Sequence, residues 1–212
     1  MNRNVVIAVR LLAVGVLLLI AQPRDARAEE PPYALLNEWW QWALSIPSAV
    51  NPILDNSGKN CSIGQRGNLW LLAGNTGGRT VRDCTLPAGS RALIPVHNTF
   101  CFPDGQFTEQ QCLDAVVADW NSFTFVEATL DGVPQVLIDQ PAVPGESAFT
   151  FTVPRNGIFG LRPGLYRASI AAGRWAIVDL GQPGVRTLRV RAASTSGFMI
   201  DVTYRMSVAE VL

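Results

Sequence analysis

The sequence predicts a mainly β fold: an antiparallel β-sandwich, immunoglobulin-like or jelly-roll-like, with an N-terminal helix and one further short helix. Three observations predict it. From Ser122 onward apolar and polar residues alternate with a period of two, the mark of half-buried strands. Turn residues such as Asp131-Gly132, Pro163-Gly164 and Pro183-Gly184 punctuate those runs. Only two stretches, Tyr33–Ile46 and Glu109–Trp120, carry helical spacing.

In the first helix Leu36, Trp39, Trp40 and Ala43 recur at spacings of three and four. Pro31 and Pro32 suit its start, and Pro47 ends it by disfavouring the α conformation at Ile46. A loop rich in Asn, Gly, Pro and Ser follows, from Ser48 to Gly67. Strands are then expected at Asn68–Ala73, Thr80–Leu86 and Ala92–Val96. The second helix should bury Cys112, Val116 and Val117 on one face. Phe123–Leu130 and Val133–Ile138 read as a hairpin around Asp131-Gly132. Further strands are marked by Phe149/Phe151/Val153, by Tyr166/Ala168/Ile170, and by Leu188/Val190. In the last strand Phe198, Ile200, Val202, Tyr204 and Met206 are expected to face the core, with Asp201, Thr203 and Arg205 facing out. About eight to ten strands of ordinary length fit the chain.

The first 28 residues read as a signal peptide. Arg3 and Arg10 precede an apolar run from Leu11 to Ala21, Pro23 breaks it, and Ala26-Arg27-Ala28 supplies a small-x-small cleavage site. A spanning helix needs about 20 apolar residues, more than the run offers. The expected organisation is therefore a signal peptide over 1–28 and one exported domain over 29–212. Within it, 29–66 is a Trp-rich helix and loop, and 67–212 is the sandwich with its short helix near 109–120. No membrane span is expected after cleavage.

The whole chain holds 17 basic and 17 acidic residues. Residues 1–28 contain four arginines and Asp25, so the remainder carries 13 basic against 16 acidic side chains. A net charge of −3 lacks the basic footprint of a nucleic-acid binder, which sets that class aside. Four cysteines, Cys61, Cys84, Cys101 and Cys112, allow three pairings. Pairing in sequence, 61–84 and 101–112, closes two modest loops and is the expected arrangement. With no C-x-x-C and a single histidine, a metal site is disfavoured and no cofactor is expected.

The order Trp39-x-x-Trp42-Ala43-x-Ser45, Asn51-Pro52, Asp55-x-x-Gly58-x-x-Cys61, Gly64-Gln65-x-Gly67-x-x-Trp70-x-Leu72-Ala73-Gly74 forms one block. It continues through Arg82-x-Cys84-x-x-Pro87-x-Gly89 and Pro95-x-x-Asn98 to Asp131-Gly132, Pro183-Gly184 and Thr203-Tyr204. This pattern resembles a group of exported bacterial proteins that carry no assigned activity. The resemblance implies export and a disulfide-bearing β-domain, and it brings no catalytic residue with it.

Candidate chemistry is sparse. His97, the only histidine, would have to be the general base of a Ser-His-Asp hydrolase. No G-x-S-x-G elbow accompanies it, and Ala88-Gly89-Ser90-Arg91-Ala92 is not one. A strand-end histidine bonded to a loop is the favoured reading. Asp55-Asn56-Ser57-Gly58-Lys59-Asn60 has oxygens at alternate positions, but its glycine is fourth and a lysine intervenes, so an Asx-type turn is expected over a calcium loop. The acids Asp55, Asp104, Glu127, Asp131, Asp139, Asp179 and Asp201 are scattered singly, and solvated surface is expected for all of them. Trp39 and Trp42 lie about 60° apart on the helix while Trp40 and Trp42 diverge by about 160°, so at least one tryptophan should be partly exposed or serve a second surface. A helix closing one end of the sandwich, its large aromatics buried, is the favoured reading; as the functional reading, Trp39, Trp40, Trp42 and His97 are the candidate binding residues, on a surface that includes this helix or the adjoining Ser48–Gly67 loop. The expected function is a non-catalytic binding or structural protein of the cell envelope or exterior, with a glycan or protein partner. A hydrolase acting on an extracellular polymer is the alternative.

The Ala26-x-Ala28 site predicts that the exported protein begins at Glu29. N-terminal sequencing of exported material checks this; an intact Met1 on membrane-bound protein would identify an anchor instead.

Overall fold

The structure, a computed structural model, describes residues 32–103 and 106–210. The expected signal segment 1–28, its cleavage site and Asp104 lie outside the described residues.

Helix α1 spans Pro32–Ser45, ending within a residue of the boundary that Pro47 imposes. Asn51 satisfies its C-terminal carbonyls: its amide donates to Ala43 O at 2.8 Å and Ile46 O at 2.9 Å. The strands that follow are β1 (Leu69–Leu71), β2 (Gly78–Pro87) and β3 (Arg91–Cys101). Helix α2 (Glu109–Ser122) starts with a capping box between Thr108 and Gln111. Then come β4 (Phe123–Leu130), β5 (Val133–Pro134), β6 (Ile138–Gln140), β7 (Phe149–Val153), β8 (Gly164–Ala168), β9 (Ile170–Asp179), β10 (Gly184–Ser194) and β11 (Met199–Ala209).

The fold is mainly β. The strands form a four-stranded sheet ordered β1-β3-β9-β6, a five-stranded sheet ordered β2-β11-β10-β4-β5, and a β7–β8 hairpin. Both larger sheets are mixed, which corrects the purely antiparallel expectation: β1 runs parallel to β3, and β2 parallel to β11. The two sheets share one apolar core, to which Leu72, Ile94, Ala176 and Val178 come from the first and Leu86, Val190, Val202 and Met206 from the second. The other face of the first sheet is covered by α1 and β7, where Leu36, Trp39, Leu93, Phe151 and Trp175 pack together. Helix α2 covers a further part with Cys112 and Val116 against Ile170 and Ala172. Val117 lies outside that face and is exposed.

Asp131-Gly132 closes the expected hairpin: both residues take positive φ, 52° and 81°, as a tight two-residue turn requires. Its second arm did not hold. Val133–Pro134 pairs with β4, whereas Ile138–Gln140 crosses to pair with β9 in the other sheet. Strand β9 carried no period-two signal because it is buried on both faces, so apolar residues run almost continuously from Ile170 to Val178.

In β11 the inward set is correct for Ile200, Val202, Tyr204 and Met206. Phe198 precedes the strand and is 43% exposed. Asp201 does lie on the outer face, yet it is buried, because Arg79 (3.0 Å) and Arg189 (2.8 Å) close over its carboxylate. Asp55 is likewise buried rather than solvated.

Both expected disulfides are present, with Cα separations of 6.0 Å for Cys61–Cys84 and 5.2 Å for Cys101–Cys112. The first fastens the loop after α1 to β2, and the second fastens α2 to the end of β3. Gly58 (φ +89°) allows that loop to lie on β2, since a Cβ there would stand 2.2 Å from Asp83 O.

One charged group organises this region. Arg82 on β2 is 1% exposed and donates to Asp55 O (2.6 Å), Ala73 O (2.6 Å), Gly74 O (3.0 Å), Ile53 O (3.1 Å) and Tyr204 Oη (2.8 Å). Removing it strands these acceptors in the interior. Arg82→Met is expected to lower stability by about 3–5 kcal/mol in urea unfolding, the scale for breaking a buried charge network.

Hydrogen bonds from Arg189 and then Arg79 hold the Asp201 carboxyl below the usual carboxylate range, against the opposing effect of burial. A depressed folded pKa adds stability that is present above the unfolded value of about 3.9 and is lost as pH falls through the folded value. Asp201→Asn should therefore cost about 1–3 kcal/mol at neutral pH, with the gap to wild type closing below about pH 4. Urea titrations at a series of pH values check this.

Candidate functional site

The three tryptophans of α1 are all buried: Trp39 at 2%, Trp40 at 5% and Trp42 at 7% exposure. This agrees with a helix whose large aromatics bury, and their angular spread is met by further packing surfaces rather than by exposure. The buried arc from Trp42 through Trp39 to Trp40 and Leu44 spans about 200° of helix, because α1 is enclosed by the first sheet, by β7 and by the loop at 51–64. Trp39 Nε1 donates to Leu72 O at 2.9 Å and Trp42 Nε1 to Ile63 O at 2.9 Å. Trp40 differs: its Nε1 is buried with no hydrogen-bond partner.

Trp40 packs on Phe100, ring centroids 4.5 Å apart. From there an aromatic tract runs to Phe102 (6.2 Å from Phe100) and Tyr166 (5.4 Å from Phe102). Where this tract meets solvent it forms an open hollow of about 300 Å³, lined by Trp40, Asn98, Thr99, Phe100, Phe102, Phe159 and Leu161. No charged side chain lines it. Asn98, like Trp40, has a buried donor without a partner, its Nδ2.

Phe159 forms part of the rim. It is 53% exposed and takes φ +63°, a left-handed conformation that bulky L-residues rarely adopt. A large apolar side chain held in strain and left in water is the reverse of what folding alone favours.

His97 lies on the other side of the sheet. It is central in β3 rather than at a strand end, and its partner is a helix rather than a loop: Nε2 lies 2.7 Å from Asp119 Oδ2 of α2. Its ring stacks on Phe123 at 3.7 Å, and Nδ1 is buried without a partner. Neither nitrogen touches a serine, so the pair acts as a clip holding α2 on the sheet. His97 and Asn98, adjacent in sequence, thus serve opposite faces, and only Asn98 reaches the hollow.

The candidate carboxylates that the structure describes are each committed elsewhere. Asp55 makes the expected Asx-type turn, accepting from Ser57 N and Oγ (2.8 and 2.7 Å) and from Asn60 N (2.8 Å). Burial raises its pKa, but these hydrogen bonds outweigh burial and leave it lowered. Glu127 pairs with Arg191, Asp131 with Arg186, Asp139 with Arg174, and Asp179 accepts from Gly181 N. Among the described residues no three His, Cys, Asp or Glu side chains converge as a metal-holding set. No described helix is long and apolar enough to cross a membrane.

Sequence reasoning found Trp40 but missed Asn98, Phe100, Phe102 and Phe159. No protein-family model matches this chain, and no curated protein sequence matches it.

Proposed function

We propose that this is an exported, non-catalytic binding protein of the periplasm or cell exterior whose ligand seats in the hollow beside α1. The observation that carries this reading is Phe159: an exposed, strained aromatic on the rim of an uncharged aromatic hollow whose lining also holds unpartnered donors on Trp40 and Asn98. Ligand sites are concave and lined mainly by apolar and aromatic side chains with a few polar groups among them. Two disulfides agree with an oxidising compartment, and the basic-apolar-small pattern of residues 1–28 supports the route there. The engagement of His97 with Asp119 and Phe123 favours binding over a hydrolase, since a general base must reach the nucleophile it activates.

Phe159→Gly separates a binding role from a folding role. Glycine accepts the left-handed conformation, so the variant should keep its urea midpoint or gain about 1 kcal/mol. Co-sedimentation of the exported protein with isolated envelope and polysaccharide fractions should fall at least tenfold. A midpoint that drops while binding persists overturns the reading, as does hydrolysis of a polymer substrate that is abolished by His97→Ala.

A further inference from the structure

We infer that Arg79, Arg189 and Arg191, on the outer face of the five-stranded sheet, bind a phosphate group; this site is separate from the hollow and does not rest on the reading above.

Strand register builds it. Arg79 on β2 stands opposite Asp201 on β11, Asp201 opposite Arg191 on β10, and Arg191 opposite Glu127 on β4. These four side chains form one charged row, about 14 Å wide at ordinary strand spacing, on the face turned away from the core. The row beside it reads Val81, Thr203, Arg189 and Thr129. With Asp83 and Arg205 farther along, the face carries four arginines against three carboxylates, whereas residues 29–212 as a whole hold more acids than bases.

Depth separates the two signs. Arg79 and Arg189 both donate to Asp201 Oδ2, at 3.0 and 2.9 Å, so their guanidinium groups meet over one oxygen. The Asp201 side chain is 4% exposed, while that of Arg79 is 72% exposed and those of Arg189 and Arg191 are 39% each. Solvent therefore meets the cations rather than the acid that holds them. Their bonding capacity is also unspent. Arg79 donates through Nε alone, and Arg189 and Arg191 donate through Nε and Nη2. Among the described residues, neither Nη group of Arg79 has an acceptor, nor does Nη1 of Arg189 or Arg191. The Phe125 ring, its centroid 5.2 Å from the guanidinium carbon, steadies Arg191 further.

Guanidinium groups already held in place, with donors to spare, complement an oxyanion at little further cost in entropy. A carboxylate offers two oxygens in one plane, and a single guanidinium satisfies it. A phosphate group offers three acceptor oxygens and about two negative charges, which matches donors supplied by three separate arginines. The hydroxyls of Thr203 and Thr129, on either side of Arg189, add neutral donors to the same face.

The test is isothermal titration of the exported protein with inorganic phosphate and tripolyphosphate, with citrate as the carboxylate comparison. It is run at about 0.15 M salt, where exposed charges more than about 8 Å apart are largely screened. Co-sedimentation with phosphatidic acid vesicles, against phosphatidylcholine vesicles, distinguishes a lipid headgroup from a free phosphate. Binding to tripolyphosphate or to phosphatidic acid is expected, at least tenfold tighter than to the matching comparison. It should weaken at least tenfold in Arg79→Gln and in Arg191→Gln, and Arg79→Gln should keep the wild-type urea midpoint because its side chain lies mostly in water. Arg205→Gln removes the same charge from the same face and should change binding less than twofold. Phe159→Gly, which tests the hollow, should leave phosphate binding unchanged. Failure of both phosphate probes overturns the inference. So do equal affinity for citrate and an equal loss in Arg205→Gln, since either shows attraction to net charge alone.

Discussion

The guanidinium of Arg82 is the group on which the arrangement of the other parts depends. A buried cation without a carboxylate is stable only if oriented dipoles replace its hydration, and here four backbone carbonyls and the Tyr204 hydroxyl do so. Those carbonyls come from the loop at 53–55 and from the segment that follows β1, while Arg82 and Tyr204 belong to the five-stranded sheet. Tyr204 extends the network by donating to Ala73 O at 3.0 Å and accepting from Ala73 N at 3.2 Å. The two sheets are therefore joined by a directional polar network inside an otherwise apolar core. Directional bonds set a register that hydrophobic contact alone leaves loose.

Fixing the loop fixes the helix. Arg82 holds Ile53 and Asp55, the Asp55 turn orders residues 57–60, and Cys61–Cys84 closes the segment onto β2. From that anchored loop Asn51 terminates α1 and Ile63 O receives Trp42 Nε1. Helix α1 is thus held at both its C-terminus and its flank as well as by its aromatic face on the sheet. Trp40 is placed against Phe100 as a consequence, and the two rings form one wall of the hollow.

Much of this was legible in the sequence, and the parts that were not have physical reasons. Pro32 and Pro47 bracket α1, Asp131-Gly132 closes a hairpin, and β10 and β11 alternate cleanly because one face of their sheet meets water. The paired cysteines followed from loop size. Strand β9 was invisible because burial on both faces erases alternation. The crossover of residues 138–140 carries no local signal, since a strand's choice of sheet is a tertiary decision. Burial of Asp201 was hidden for a related reason: its shielding comes from Arg79 and Arg189, the former 122 residues away in sequence. The angular spread of the three tryptophans called for exposure or a second packing surface, and the fold supplies the surfaces: the first sheet, β7 and the loop at 51–64.

The candidate site was least legible because rarity misled and context mattered. His97 stood out as the only histidine, yet its bonds to Asp119 and its stack on Phe123 account for it as a clip under α2. Phe159 offered no motif, and its importance rests on a conformation that only the folded chain reveals. Sequences that specify one structure agree with local rules almost everywhere, and the places where they do not are where function is sought. In this protein several such departures gather at one place: a phenylalanine at positive φ and exposed, two lining donors left unpaired, and a row of amide side chains across Gly173. The Arg82 network reaches the α1 side of the first sheet through the carbonyls of Ile53 and Ala73, both of which pack in the same cluster as the α1 tryptophans. The network that holds the two sheets and the layer that carries the strained aromatic are therefore joined through α1, whose Trp40 lines the hollow.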